Sequence, residues 1–123
     1  MLVTDVWVTR PTDKGKPMIY RVRARFKTDT AAAFLKKLTD GTVQQQTPDG
    51  PEIVASMNRA MLNGAGEIEW SEQCYCNPPL AHERATVLDT HFDDISTMAI
   101  EGYQQYEGEP FMKYLMQLAG QES

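Results

Sequence analysis

Three groups of side chains in this sequence carry reactive or charge-binding chemistry. The first is Arg21, Arg23, Arg25 and Lys27, basic at every second position of the run "YRVRARFK". Alternate residues of a strand share one face, so these side chains form a cationic row. Guanidinium groups grip carboxylates and phosphates through paired N–H donors, which makes the row an anion- or partner-binding floor. The competing reading is one rail of a charge ladder, with Glu67 and Glu69 of "EIEWSEQC" set against it by a neighbouring strand. Four cations facing two acids still leave a surplus, which needs an anion, an acidic partner or water.

The second group is His82, Glu83 and Arg84 in "AHERATVLDTHFDD", together with Glu72 and Cys76 from the preceding segment. Histidine, carboxylates and a thiol are the materials of acid–base or nucleophilic catalysis. Glu72 falls on the face that Ile68, Trp70, Cys74 and Cys76 make apolar. A carboxylate there needs a partner, and Arg84 or His82 can supply one across a strand–helix junction. A structural ion pair and a small active site both fit this pattern.

The third group, Cys74, Cys76, His82 and His91, has the ligand types of a zinc site but not the spacing. It reads Cys-x-Cys-x5-His-x8-His, without a paired Cys-x-x-Cys. Nine residues on a helix is about two and a half turns, so the two histidines point to opposite sides. No metal is expected, and the cysteines read as small core residues. The glycines of "TPDGPE" and "NGAG" suit turns rather than phosphate loops, so no cofactor is expected either.

The elements that would position these groups follow from periodicity. Residues 2–10, "LVTDVWVTR", suit a strand, and "PTDKGKP" a loop. "MIYRVRARFK" alternates strictly, with Met18, Tyr20, Val22, Ala24 and Phe26 against the basic row, as expected of a half-buried antiparallel strand. "KTDTAAAFLKKLTDG" has a capping start, alanines, an apolar stripe at Phe34, Leu35 and Leu38, and a terminal Gly41. Residues 52–62 fit a helix or a strand. The Asn63-Gly64-Ala65-Gly66 turn favours a hairpin into a strand over 67–76. A helix over 80–92 follows, with Leu80, Arg84 or Ala85, Leu88 and Phe92 as its stripe. "ISTMAIEGYQQY" suits a further strand and "EPFMKYLMQLA" a short helix, with 116–123 a frayed tail.

From residue 17 onward the order is strand, helix, strand, strand, helix, strand, the split-βαβ or ferredoxin-like pattern. The expected fold is α+β: an antiparallel sheet with helices on one face, an extra N-terminal strand and a short C-terminal helix. At 123 residues the chain reads as one domain, 1–123. No run approaches the ~20 apolar residues of a membrane span. The start of the chain lacks a signal-peptide pattern, so a cytoplasmic location is expected. A net charge of −5 argues against nucleic acid as a partner. The favoured function is a binding module whose charged sheet face receives an acidic partner or small anion. The same face, which mixes Ile19 with charges, points to a homodimer. The alternative is a small enzyme with an acid–base or thiol site between strand 67–76 and helix 80–92.

Overall fold

The computed structural model describes residues 18–47, 49–74 and 78–121. The expected strand at 2–10, the loop after it and Cys76 lie outside the described residues. What is described is an α+β arrangement of four helices and an open, five-stranded antiparallel sheet. The strands are β1 (Met18–Phe26), β2 (Met61–Leu62), β3 (Ile68–Cys74), β4 (Phe92–Ile100) and β5 (Glu109–Pro110). Their spatial order is β4-β1-β3-β2-β5. The helices are α1 (Ala31–Thr39), α2 (Gly50–Arg59), α3 over 81–91 and α4 (Phe111–Gln121).

β1 sits between β3 and β4 because its alternation serves two faces. Tyr20, Val22 and Ala24 are buried in the core, while Arg23 and Arg25 opposite them are exposed. The core joins these to Phe34 and Leu38 of α1, Ile53 and Met57 of α2, Val87 and Leu88 of α3, and Phe111 and Leu115 of α4. Phe26, Phe34, Phe92 and Phe111 meet with centroids 5.3–6.3 Å apart, within the range of favourable ring contacts.

Four expectations need correction. Residues 50–59 are helix, not the first arm of a hairpin, and only Met61–Leu62 pairs with β3. Pro51 in the first turn and Ile53 and Met57 buried at i and i+4 decide the matter locally. The strand after α3 starts at Phe92 and ends at Ile100, because Gly102 and the polar residues after it carry the chain away. Residues 116–121 are helix rather than tail, since Leu118 and Ala119 pack on the core. The stripe of α3 is also rotated: Glu83, Val87, Leu88 and His91 are buried, while Arg84 and Ala85 are exposed. Its middle, Arg84–Leu88, is a π-helical turn, which changes the face presented by everything beyond it. The helix begins after Leu80, a buried residue held at φ 61, a conformation that costs a bulky side chain energy.

Candidate functional site

The basic row lies on the sheet face opposite the core, and three of its four members have acids or carbonyls. Arg21 Nε and Nη2 both donate to Glu69 Oε2, at 3.0 and 2.6 Å. Burial pushes the Glu69 carboxyl up, but hydrogen bonds from Asn63 and Arg21 and the charges of Arg21 and Arg23 hold it below its ordinary value. Arg25 Nε is 3.8 Å from Asp94 and Lys27 Nζ 3.7 Å from Asp93. Lys27 also donates to the Asp89 carbonyl at 2.9 Å. Arg23 has no ion pair among the described residues. It stands directly across from Glu69 on β3 and Ser96 on β4, yet the Glu69 carboxylate is taken by Arg21 and Asn63.

An open trough of about 300 Å³ lies over this part of β1 and β4, lined by Arg21, Arg23, Ser96, Thr97 and Met98. Its floor offers the Arg23 guanidinium, which has no ion pair among the described residues, beside the Ser96 side chain. That composition can hold a carboxylate or phosphate while staying open to solvent. The ladder anticipated from Glu67 and Glu69 is therefore half right. Glu69 fills its part, but Glu67 makes no ion pair among the described residues. The remaining acids come from Asp93 and Asp94, at a bulge of β4 where Asp94 adopts φ 55.

The rest of this sheet face is covered. Residues 103–106 cross β3: Ser71 and Tyr106 hydroxyls are 2.9 Å apart, and the Gln104 N–H donates to Ser71 Oγ at 3.1 Å. The Tyr103 hydroxyl donates to Glu52 at 2.8 Å, and burial followed by that hydrogen bond pushes it up to about 12. Arg59 lies over the Tyr103 ring at 4.6 Å and Arg21 over Tyr106 at 5.4 Å. Reading "ISTMAIEGYQQY" as a strand puts these residues in line with β4 instead of across β3. The one hint is "EGYQQYEG", two tyrosines three apart between glycines.

The acid–base group does not assemble as the sequence suggested. Glu72 and Glu83 are both fully buried and meet between β3 and α3. The Trp70 Nε1–H donates to Glu72 Oε1 at 2.8 Å, and the Cys74 thiol donates to Glu83 at 3.5 Å. Glu72 is raised well above the carboxylate range, first by burial and then by its Glu83 neighbour. The partner of the buried acid is thus a second acid and an indole, not Arg84 or His82. Arg84 pairs with Asp89 at 3.0 Å on the surface. His82 Nδ1 faces Asp49 Oδ2 at 2.5 Å, joining α3 to the start of α2. His91 is buried, stacked 4.3 Å from the Phe34 ring, with Nδ1 2.8 Å from Thr30 Oγ1. Burial, then Lys37 and Lys27, lower it to about 4, so it is neutral.

A second groove, about 410 Å³, runs between α3 and β4, lined by Pro78, Pro79, Ala81, Arg84, Ala85, Asp89, Ile95 and Thr97. Neither groove is lined by Glu72 or Glu83. Among the described residues no cluster of histidine, cysteine and carboxylates could hold a metal ion, and no helix is long and apolar enough to cross a membrane. Comparison with protein-family models, curated proteins and solved structures finds no match.

Proposed function

We propose that the protein is a binding module whose open sheet face receives an acidic partner, with Arg23 as the central contact. The observation that carries this reading is Arg23 itself. It is exposed, has no ion pair among the described residues, and stands in a trough with Ser96 and Thr97. Arg21, Arg25 and Lys27 rim the site, already tied to acids of the sheet. They fix the row in place and supply long-range attraction, while Arg23 makes the contact. The scaffold we assign is a ferredoxin-like sandwich elaborated by α2, β5 and α4. The order β4-β1-β3-β2, with every neighbouring pair antiparallel, supports that assignment. An acid–base or thiol enzyme built on His82, Glu83, Glu72, Arg84 and Cys76 has less support. Its two buried carboxyls line neither groove, and His82 and Arg84 are engaged elsewhere.

The test is titration of the full chain with poly-glutamate and with citrate, followed by amide NMR and calorimetry. Shifts should centre on Arg23, Ser96 and Thr97 and weaken as salt rises. Arg23→Glu should weaken binding by about tenfold or more, the worth of a charge-assisted hydrogen bond pair. An unshifted Arg23 in saturating ligand rejects the proposal. The homodimer expected from the sequence belongs to this same face, where Ile19, Met98 and Ile100 form an apolar corner beside the arginines. Light scattering that gives only monomer at micromolar concentration removes it.

A further inference from the structure

β4 is the edge of the sheet among the described residues. Among them it pairs with β1 alone, and from Asp93 to Ala99 every residue but Ile95 is exposed. Proteins usually guard such an edge with charge, proline or a bulge. Here the bulge and Asp93 and Asp94 guard only one end. The rest, Ile95–Ile100 ("ISTMAI"), carries no charge and no proline over six residues. The two grooves flank this stretch. The cationic trough of Arg21 and Arg23 touches it on the outer face, and the Pro78/Ala85 groove touches it on the helix face. Thr97 lines both.

We infer that β4 takes an extended segment of a partner protein as a sixth strand. Acids at alternate positions of that segment reach Arg23, and small apolar side chains between them enter the groove of Pro78, Pro79 and Ile95. Strand addition forces this alternation. Successive side chains of an added strand fall on opposite faces of the sheet. The outer face offers Arg23, and the helix face offers Pro78, Pro79, Ala85 and Ile95 beside the mutually paired Arg84 and Asp89. The main chain of β4 supplies hydrogen bonds, while the two grooves select the sequence. A second copy of this chain fits the edge poorly. Antiparallel self-pairing centred on Ile95–Ile100 would set Asp94 across from Glu101 of the other copy, and like charges opposite one another are unfavourable.

This mode of binding rests on the anion-receiving role of Arg23, and the experiment separates the two. The probe is an acetylated, amidated peptide of alternating glutamate and valine, added to the full chain. Its controls are the same composition in blocks and two versions N-methylated at one or the other alternating set of residues. We expect the alternating peptide to bind at least tenfold more tightly than the block peptide. One N-methylated version should bind like the parent and the other should not. The exposed amides of Ile95–Ile100 should gain exchange protection on binding. If block and both N-methylated peptides bind equally and lose affinity together in Arg23→Glu, the anion floor stands and strand addition is overturned. If no acidic peptide or citrate shifts Arg23, both readings fail. β4 amides already protected before any peptide is added overturn strand addition too. In a dimer the second copy holds the edge, and in a monomer the chain covers it itself.

Discussion

Glu72 is a carboxyl placed where a charge is expensive, and its neighbour Glu83 adds a second acid instead of a counter-charge. Its proton is therefore held more tightly in the folded chain than in the unfolded one. The native state then binds the extra proton, so stability falls as pH rises from the ordinary carboxyl range through the raised value. Glu72→Gln keeps an acceptor for the Trp70 indole and has no charge to bury. We expect it to match the parent within about 1 kcal/mol near pH 5 and to be about 1–3 kcal/mol more stable near pH 9. Urea denaturation at the two pH values measures the difference, and parallel profiles would refute the raised Glu72 carboxyl. His91 has the opposite sign. Its neutral ring is the folded form, so its contribution is lost as pH falls from the ordinary 6.5 toward about 4. NMR titration should give His91 a midpoint near 4. The apolar setting of Glu72 was legible in the sequence from strand alternation. Its partner was not, because a regular helix would have turned Arg84 inward, and the π turn over Arg84–Leu88 presents Glu83 instead.

At the scale of elements, the hairpin expected over 52–62 shrank to two residues because α2 takes over most of the edge of β3. Glu52 Oε2 accepts the Gln73 N–H at 2.8 Å, and Arg59 Nη2 donates to the Ser71 carbonyl at 3.0 Å. Side chains of a helix thus satisfy backbone groups that a longer β2 would have paired. Periodicity cannot show this, since a short segment of mixed spacing fits either state until its neighbours are known. α2 is also pinned at its first residue. A Cβ on Gly50 would stand 2.1 Å from the Val43 carbonyl oxygen, with the Gln44 carbonyl oxygen at 2.8 Å. Alanine normally improves a helix over glycine by about 0.5–1 kcal/mol. Gly50→Ala should instead destabilise by about 1–3 kcal/mol, as overpacking against backbone does. Gly64→Ala, whose Cβ meets nothing within 4 Å, should stay within about 0.5 kcal/mol of the parent. Equal denaturation midpoints for the two variants would refute the close approach.

Across the whole molecule, one sheet face is divided between two tasks. Over β3 it is closed by the chain from Tyr103 to Tyr106, bound to Ser71, Gln73 and Glu52. Over β1 and β4 it stays open around Arg23. The strict alternation of "YRVRARFK" made the charged face readable. Which half remained available depended on a crossing segment whose contacts are polar, aromatic and distant in sequence. The closure also explains why Glu69 and Ser71 are buried although they face away from the core. If the segment serves structure and the open half serves binding, the two should separate by mutation. The Tyr103→Phe, Tyr106→Phe double variant removes the hydroxyl contacts to Glu52, Gln73 and Ser71 while leaving both rings over their arginines. It should lose about 1–3 kcal/mol in urea denaturation. Chymotrypsin should cut residues 101–108 sooner. Citrate and poly-glutamate should still bind with affinity within about twofold of the parent, because Arg23 touches neither tyrosine hydroxyl. A double variant that kept full stability but lost the acidic ligand would reverse the assignment and make the crossing segment part of the binding surface.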